Sequence, residues 1–229
     1  MIMKIQTDPN LTAIKFDQIV PCPLAKRLFD FCLTVLALII FSPLIFLIYL
    51  AIKINGLINP ADRGPFLYQE TRISQGQPFN FYKIRIFKVE AIKQALGGIG
   101  IVHTKALEKR PENLTAVGKI IKKFYLDEIG QLINVLKGEM SLVGTRPWNP
   151  ATYEREINLG IYRKKVIKAG ITGLVQITKG HHQNYLGSDR GLDDYYINFC
   201  RTHSPGQILF FDLKIIFLSL IKLLRGEGL

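Results

Sequence analysis

Cysteines and acidic residues are both scarce in this sequence, and each shortage excludes a class of protein. The three cysteines, Cys22, Cys32 and Cys200, lie far apart and form no C-x-x-C pair. An odd, scattered set of this kind predicts reduced thiols and excludes a disulfide framework or a zinc ribbon. Acidic residues number 18 against 30 Lys and Arg, which gives a formal net charge of +12. This balance favours an anionic partner, namely nucleic acid, acidic lipid headgroups or a phosphorylated substrate, without choosing among them.

Nucleotide-binding and metal-binding motifs of the usual spacing are also missing. Three glycines lie in the stretch 88–113, but they do not form the G-x-G-x-x-G fingerprint of dinucleotide-binding folds. We therefore predict a flexible loop there. His181 and His182 are adjacent, so their side chains would diverge on a strand or a helix, and no third ligand is spaced nearby. A histidine pair in a loop is favoured over a metal site.

One apolar run is long enough to enter a membrane. Between residues 28 and 54 the only charged residues are Asp30 and Lys53, and a helix of this length could span a bilayer. Ser42-Pro43 lies near the middle of the run, where proline removes one helical hydrogen bond. The Ser42 hydroxyl could then bind the carbonyl group that the proline leaves free.

The geometry of this run leaves two topologies open. The arm from residue 28 to 42 would be about 22 Å long, which is shorter than the roughly 30 Å hydrocarbon core of a bilayer. Basic residues flank both ends, Lys26 and Arg27 before the run and Lys53 and Arg63 after it, so the positive-inside rule assigns no orientation. The sequence is equally compatible with a helix that enters, breaks and exits on the same side, and with a kinked spanning anchor.

Two short strands are predicted after the apolar run. They cover Gly64–Arg72 and Pro78–Phe87, and the segment Ser74–Gln77 supplies a turn between them. Lys83 and Arg85 are two residues apart, so they share one face of the second strand. Two cations on one face could bind a diphosphate, although a solvated strand face would show the same pattern.

The rest of the sequence alternates helices and short strands, which gives an α+β fold class. The predicted helices are 114–124, 126–136, 153–168, 193–201 and 207–225, and the predicted strands are 140–143 and 171–177. In the last helix, polar residues fill a little under half of the circumference, and Leu, Ile and Phe fill the remainder. That pattern is typical of a helix in the membrane interface, and also of a helix packed on a protein core.

The most informative residues are Asp127 and Glu128, which open one of the predicted helices. Carboxylates in a first helical turn often do no more than oppose the helix dipole, which stabilises by about 0.3–1 kcal/mol. Here Lys122 and Lys123 lie one turn upstream, and Arg146 follows a predicted strand in a glycine-bearing turn. A carboxylate can attack phosphorus when cations neutralise the phosphate, and a neighbouring carboxylate can hold Mg²⁺. The context therefore favours phosphoryl transfer.

An ordered set of further motifs runs along most of the chain. They are Lys26-Arg27-Leu28-Phe29-Asp30, Ser42-Pro43, Gly64-Pro65, Tyr82-Lys83, Leu126-Asp127-Glu128, Asn134 to Ser141, Arg146-Pro147, Gly170 to Leu174, and Asp193 with Tyr195-Tyr196. In these motifs the chain resembles the bacterial sugar transferase family, the monotopic polyprenyl-phosphate phosphoglycosyl transferases. The resemblance covers roughly residues 24–225 in the family's own order.

The resemblance implies a monotopic, membrane-associated α+β domain with a re-entrant helix broken at Ser42-Pro43. The expected divisions are an N-terminal tail (1–23), a re-entrant membrane helix (24–56) and a cytoplasmic catalytic domain (57–229) that includes an interfacial C-terminal helix. The expected location is the bacterial inner membrane, with the catalytic domain on its cytoplasmic face. Because 25 residues precede Lys26, a minimal form of the family is expected.

For the reaction, the resemblance implies that Asp127 attacks the β-phosphate of a nucleoside diphosphate sugar, expected to be a UDP-sugar. The covalent phosphosugar would then pass to undecaprenyl phosphate and initiate a surface polysaccharide or glycoconjugate. Glu128 and Asp127 are expected to hold Mg²⁺, and Arg146 is expected to contact phosphate. The remaining expected substrate-binding residues are Lys83, Arg85, Lys122, Gln131 and Asp193.

Several positions depart from the family's pattern, whereas the Asp-Glu dyad is intact. The departures are Lys122 for Arg, Tyr125 for Ser or Thr, Gly130, Thr145 and Ala169 for Pro, and residues 177–182. The last of these leaves the nucleotide and sugar contacts unassigned.

Two other functions stay open: a membrane scaffold that keeps the fold without turnover, and a basic nucleic-acid binder. The apolar run and the absence of an aromatic-basic motif argue against nucleic acid as a partner. Membrane lipids are the expected partners, and a homo-oligomer stays open.

Overall fold

A computed structural model describes residues 17–99, 104–178 and 189–226 of the chain, which leaves His181 and His182 outside the described residues. The chain divides into two compact units. The first unit comprises residues 1–34, 71–79 and 134–229, and the second unit comprises 35–70 and 80–133. The described residues form helices and two small two-stranded sheets, which confirms the predicted α+β class.

The apolar run forms one helix, α1, over Leu24–Ile58. Pro43 lies inside it, and its missing N–H leaves the carbonyl group of Ile39 without a helical donor. The Ser42 hydroxyl donates to that carbonyl oxygen at 2.8 Å, which confirms the predicted compensation. The helix therefore continues through Pro43, whereas two helices separated by a break were expected.

Most of the apolar surface of α1 is exposed. Only 11% of its most apolar stretch is buried, and among the described residues it is the one helix long and apolar enough to cross a membrane. The exposed apolar side chains of α1 include Leu36, Ile39, Ile40, Phe46, Leu47, Leu57 and Ile58. A core helix of a soluble protein would be mostly buried, so a lipid environment accounts better for this surface.

A hairpin follows α1 and confirms the two predicted strands, with boundaries shifted by about three residues. β1 (Leu67–Ser74) and β2 (Gln77–Ile84) form a two-stranded sheet. The two residues between them, Gln75 and Gly76, have positive φ angles of 50° and 76°. Two successive positive φ values are the mark of the tight turn that matches the twist of paired strands.

The second unit is completed by helices, including a stretch that was expected to be a loop. α2 covers Val89–Ile99 and α3 covers Thr104–Glu108, so most of the predicted loop 88–113 is helical. The prediction was wrong because Ala91 and Ile92 bury an apolar face that outweighs the helix-weakening glycines.

α4 covers Ala116–Lys123 and is capped by Thr115, whose hydroxyl oxygen accepts a hydrogen bond from the Gly118 amide at 2.8 Å. A short 3₁₀ turn (Leu126–Gly130) and α5 (Gln131–Lys137) follow. The buried cluster of this unit consists of Ile48, Ile52, Ile84, Ile86, Phe87, Leu114 and Ile121. It joins the second half of α1 to α4 and to the hairpin.

The first unit contains a short parallel sheet. β3 (Ser141–Val143) pairs with β4 (Gly170–Thr172), with Ser141 opposite Gly170 and Val143 opposite Thr172. The helices around it are α6 (Pro150–Asn158), α7 (Arg163–Val166), α8 (Leu174–Thr178), α9 (Asp189–Thr202) and α10 (Pro205–Leu224). The buried cluster of this unit includes Val20, Val143, Val166, Leu192, Ile197 and Ile215. Val20 belongs to the expected tail, so the end of that tail is part of this core.

Two boundary predictions in this unit are wrong. The helix expected over 153–168 is divided into α6 and α7, because Gly160 between them adopts a φ of 72° that terminates a helix. The strand expected over 171–177 ends at Thr172. The amide of Ile177 donates to the carbonyl group of Gly173 at 3.1 Å, which is a helical bond and makes this segment part of α8.

The C-terminal helix α10 buries part of its polar arc and exposes part of its apolar arc. Asp212 and Ser219 belong to the polar arc, yet both are buried. Asp212 can face inward because Lys26 and Tyr196 bind its carboxylate. The exposed face is an apolar stripe formed by Phe210, Leu213, Phe217, Leu220 and Leu224. A stripe of this kind suits a helix in contact with lipid.

Candidate active site

The Asp-Glu dyad lies in a tight turn at the end of α4. Tyr125 adopts a left-handed conformation (φ 55°, ψ 23°) and reverses the chain into the 3₁₀ turn that carries Asp127 and Glu128. A non-glycine residue in this region is uncommon and costs free energy, so the surrounding structure must hold it in place. Leu126 and Ile129, on either side of the dyad, pack against the buried cluster of the second unit. The dyad is therefore fixed to the same core as the second half of α1.

Lys83 of β2 lies against both carboxylates. Its ammonium nitrogen is 3.1 Å from Oδ2 of Asp127 and 3.9 Å from Oε1 of Glu128. The side chains of Lys83, Asp127 and Glu128 are 18%, 8% and 24% exposed, so all three are reachable from solvent but mostly desolvated. Coulomb attraction is stronger in such an environment than in water. The structure thus brings Lys83 against two adjacent carboxylates that lie more than 40 positions later in the sequence.

Gly130 explains how β2 comes so close to the dyad. A Cβ atom at this position would lie 2.9 Å from both the Cα of Lys83 and the carbonyl oxygen of Tyr82. Real Cβ contacts to backbone are longer than this, so any other residue would force the turn away from the strand. Gly130, where the family has proline, therefore permits the close approach of β2 to the turn that carries Asp127.

The dyad keeps Lys83 protonated. Burial lowers the pKa of Lys83, but the negative charges of Asp127 and Glu128, with a smaller contribution from Glu108, raise it more. The net effect is a pKa above the ordinary value, so the ammonium is charged at neutral pH. A permanent cation beside two carboxylates can partly neutralise a phosphate that approaches them.

Lys122 is bound to α3, a contact that the sequence did not reveal. Its ammonium donates to the carbonyl oxygen of Glu108 at 2.6 Å and lies 3.8 Å from the Glu108 carboxylate. The sequence did not identify Glu108 as a neighbour of the dyad, because its segment was expected to be a loop. With Glu108, three carboxylates face the two ammonium groups of Lys83 and Lys122, which leaves an excess of one negative charge near the dyad.

Arg85 does not share in this cluster. It lies just beyond the end of β2, is 2% exposed, and donates to the carbonyl oxygens of Pro65, Phe87 and Asp62 at 2.7, 2.6 and 2.9 Å. Burial lowers the pKa of its guanidinium, and Asp62 offsets part of that effect. These bonds satisfy backbone carbonyls that are otherwise without partners in strands and turns. We therefore treat Arg85 as a structural residue and leave it out of the proposed site.

Asp127, Gln131 and Asn134, which are spaced as neighbours along one side of a helix, are all buried. As whole residues, backbone included, Asp127, Gln131 and Asn134 are 5%, 3% and 0% exposed. Gln131 opens α5 directly after the dyad turn, and the Asn134 amide donates to the Glu139 carboxylate at 2.7 Å. Gln131 stays a candidate substrate residue on position alone.

Arg146 and Asp193 both belong to the first unit. Arg146 is partly exposed and follows β3. Asp193 is 4% exposed, and its Oδ2 accepts hydrogen bonds from Arg163 at 2.9 Å and Lys164 at 2.7 Å. Burial lowers the pKa of Lys164, and the Asp193 charge opposes that change. These two ion pairs give Asp193 a structural role, whereas a substrate-binding role was expected.

Trp148 covers this ion-pair cluster. Its ring lies 4.6 Å from the Arg163 guanidinium carbon and 5.0 Å from the Lys164 ammonium, which is within cation–π range. Arg163 also forms a forked pair with Glu156, with distances of 3.0 and 2.6 Å. Since Trp148 is two residues from Arg146, the cluster holds the turn that carries Arg146.

The first motif of the family, Lys26-Arg27, also has a structural role. Lys26 pairs with the buried Asp212 and donates to the Val143 carbonyl oxygen at 3.3 Å. Arg27 donates to the carbonyl oxygens of Val135 and Leu136 at 2.6 and 2.7 Å, where α5 ends. Both cations were expected to flank the membrane run, but they bind the protein instead.

The dyad has the donor set that Mg²⁺ uses with phosphorylated substrates. Among the described residues no group of three or more His, Cys, Asp or Glu side chains is placed to hold a metal ion by itself. Mg²⁺ is commonly held by one or two carboxylates together with substrate phosphates and water. Asp127 and Glu128 supply two adjacent carboxylates beside an excess of negative charge, so they fit the ion.

Comparison with known proteins places the chain in a family. A family model described as bacterial sugar transferase matches residues 22–226. Galactosyl transferase CpsE of Streptococcus agalactiae serotype III (strain NEM316) is 36% identical, over 90% of this chain and 43% of that protein. The UDP-glucose:undecaprenyl-phosphate glucose-1-phosphate transferase of Escherichia coli (strain K12) is 32% identical, over 87% of this chain and 40% of that protein.

A third relative is closer to this chain in length. Exopolysaccharide production protein ExoY of Rhizobium meliloti (strain 1021) is 30% identical, over 90% of this chain and 88% of that protein. The chain thus spans less than half the length of the first two relatives and most of the length of the third. With the family model matched along nearly all of its length, the chain belongs to the bacterial sugar transferase family.

Proposed function

We propose that this protein transfers a sugar 1-phosphate from a nucleoside diphosphate sugar, with a UDP-sugar as the first candidate, to undecaprenyl phosphate. The observation that carries the proposal is the cluster of Asp127, Glu128 and Lys83. One carboxylate is placed to attack, and a cation beside it can neutralise the phosphate. The Escherichia coli relative is named a UDP-glucose:undecaprenyl-phosphate glucose-1-phosphate transferase, which supports the choice of donor and acceptor.

In the first step a carboxylate oxygen of Asp127 would form a bond to the β-phosphorus of the donor. The bond from that phosphorus to the bridging oxygen breaks, and nucleoside monophosphate leaves with the electron pair. Lys83 would withdraw from the Asp127 oxygens and face the phosphate oxygens, where charge accumulates. No proton transfer is needed, since both the attacking and the leaving groups are anions.

In the second step an oxygen of the polyprenyl phosphate would attack the phosphorus bound to Asp127. The acyl–phosphate bond breaks, the Asp127 carboxylate is regenerated, and the product is a polyprenyl diphosphate sugar. The exposure of Asp127 suits two successive reactants. Its side chain is 8% exposed, which limits access by water while it leaves an oxygen reachable.

We propose Mg²⁺ as the cofactor, held by Asp127 and Glu128. When bound, the ion would offset the excess negative charge of the cluster and polarise the phosphate oxygens. Lys122 is proposed to contact the donor after it separates from Glu108. Gln131 and Arg146 are the other proposed substrate contacts.

We further propose that α1 bends at Pro43 in the membrane, so that it enters and leaves on the cytoplasmic face of the bacterial inner membrane. The support comes from the exposed apolar surface of α1 and from the buried cluster that links Ile48 and Ile52 to the residues beside the dyad. Such a link would keep the dyad near the headgroup level, where the acceptor phosphate lies.

Release of nucleoside monophosphate tests the proposal. Purified protein with Mg²⁺ and undecaprenyl phosphate would be given a panel of nucleotide sugars, and at least one should release the monophosphate. Asp127→Asn should abolish release, because an amide does not form the acyl phosphate. A protein that releases nothing from any donor, or an Asp127→Asn variant that retains full activity, would refute the proposal.

A further inference from the structure

The outward face of α4 carries large apolar and basic side chains in two parallel rows. Ile120 and Phe124 are four residues apart and are each 60% exposed. Lys119 and Lys123 are also four residues apart and exposed. Residues at this spacing are neighbours on one side of a helix, so an apolar row runs beside a cationic row.

The core of the second unit does not require this face. Ile121, on the opposite side of α4, is 2% exposed and belongs to the buried cluster. Gly118 approaches the backbone so closely that a Cβ atom would collide with the Ile86 carbonyl oxygen. The inward side of α4 is thus packed against the core, and the outward side is available to bind a ligand.

This face ends at the catalytic dyad. Phe124 and the 37% exposed Tyr125 directly precede the turn that carries Asp127. The Lys123 ammonium lies 5.7 Å from the centre of the Phe124 ring, so cation and apolar surface meet at the end nearest the dyad. A ligand bound along the face would present its charged end close to the attacking carboxylate.

The chemistry of the face matches one of the two proposed substrates. A nucleotide sugar is hydrophilic and would gain little from contact with the apolar side chains of Ile120 and Phe124. A polyprenyl phosphate has a monoanionic or dianionic phosphate joined to a branched hydrocarbon chain, which requires cations and apolar contacts side by side. The face offers both side by side, with Lys123 and Phe124 in contact at the end nearest the dyad.

We propose that the outward face of α4, formed by Lys119, Ile120, Lys123 and Phe124, binds the acceptor polyprenyl phosphate. The lysines contact its phosphate, and the apolar pair contacts the first isoprene units. This inference rests on the proposed function. It adds an acceptor subsite that is separate from the residues that hold the donor.

The test separates the acceptor half of the reaction from the donor half. Two double variants, Lys119→Gln with Lys123→Gln and Ile120→Ser with Phe124→Ser, are assayed in detergent micelles with undecaprenyl phosphate. The KM for undecaprenyl phosphate should rise about tenfold in each. The burst of nucleoside monophosphate released by donor alone, without acceptor, should stay at the wild-type amplitude.

Controls lie on other surfaces of the same chain. Lys93→Gln changes an exposed lysine of α2, and Leu159→Ser changes a leucine that is 69% exposed at the end of α6. Both should keep the wild-type acceptor KM. If the α4 variants keep it as well, or if their donor-only burst falls in parallel with turnover, the acceptor subsite is refuted.

A bilayer-docking role is distinguished by flotation with vesicles that contain anionic phosphatidylglycerol and no polyprenyl phosphate. If the α4 variants lose vesicle binding while their acceptor KM in micelles is unchanged, the face docks on the bilayer and the proposal is wrong. A wild-type protein that gives no burst with any donor refutes the proposed function itself. If the wild type gives a burst and the α4 variants keep the wild-type acceptor KM, only the acceptor subsite is refuted.

Discussion

Replacing Lys83 by methionine should weaken both the fold and the reaction. At 3.1 Å from Asp127 and 3.9 Å from Glu128, its attraction to the two carboxylates is about 5 and 4 kcal/mol at an effective dielectric constant of about 20. Desolvation of the charges cancels much of this. Removing one partner of a buried pair typically costs about 3–5 kcal/mol. Because the Lys83 side chain is 18% exposed, we expect Lys83→Met to lower the free energy of unfolding by about 3 ± 1 kcal/mol.

The pH dependence gives a second signature. The pKa of Lys83 is raised above its ordinary value of 10.5, so its stabilisation is fully present below 10.5 and is lost as pH rises through the higher folded-state value. The difference between wild type and Lys83→Met should therefore be constant from about pH 7 to pH 10 and should shrink above it. Unfolding by urea in detergent micelles, followed by circular dichroism, measures both quantities.

Lys93→Met on the exposed face of α2 is the matched control and should change the free energy of unfolding by less than about 0.5 kcal/mol. Nucleoside monophosphate release should fall about 100-fold in Lys83→Met, because a preorganised cation is removed from the site. A Lys83→Met protein as stable and as active as Lys93→Met would show that the three-residue cluster is not formed in solution.

Three further predictions follow from single contacts. Asp193→Asn should lower the free energy of unfolding by about 3–5 kcal/mol, since Arg163 and Lys164 lose a buried partner; urea unfolding measures this, and a loss below 1 kcal/mol would contradict it. Gly130→Ala should lower the free energy of unfolding by about 1–3 kcal/mol, because its Cβ would overpack against β2, and should lower activity. Gly206→Ala should leave the free energy of unfolding unchanged, because a Cβ there meets no atom within 4 Å. Burial raises the pKa of Cys200 to about 12, so a maleimide at pH 8 should label it only after unfolding, as mass spectrometry of the labelled peptide would show.

The sequence predicted the elements that follow from local pattern. The hairpin, the apolar helix, and the helices that carry Ile121 and Ile197 all have regular apolar spacing, and the structure contains each of them. The Ser42 hydroxyl was also predicted correctly, because the carbonyl group that proline leaves free is fixed by helix geometry. These features depend on a few consecutive residues, so a single sequence is enough to identify them.

The features that sequence missed depend on contacts between distant residues. Nothing near Glu108 indicates that its carbonyl oxygen binds Lys122, and Lys26 looks like a membrane-flanking cation until Asp212 is placed beside it. The same reason explains the roles of Arg85 and Asp193. Each is a charged residue that the sequence marked as a candidate for substrate binding, but tertiary hydrogen bonds and ion pairs, which sequence spacing does not encode, determine what it binds.

The dyad was identified in sequence from its context, and its partner Lys83 was named as a candidate. The closeness of the two depends on Gly130, which was read only as a departure from the family's pattern. A glycine that lets two backbones approach is recognised once the second backbone is known.

The central claim is that Asp127 becomes covalently bound to a phosphosugar. The direct measurement is mass spectrometry of the protein after rapid mixing with donor and Mg²⁺ in the absence of acceptor. We expect a mass increase equal to one sugar phosphate, located on the peptide that contains Asp127, and no increase in Asp127→Asn. Full turnover with no adduct on that peptide, or an adduct on another residue, would contradict this account.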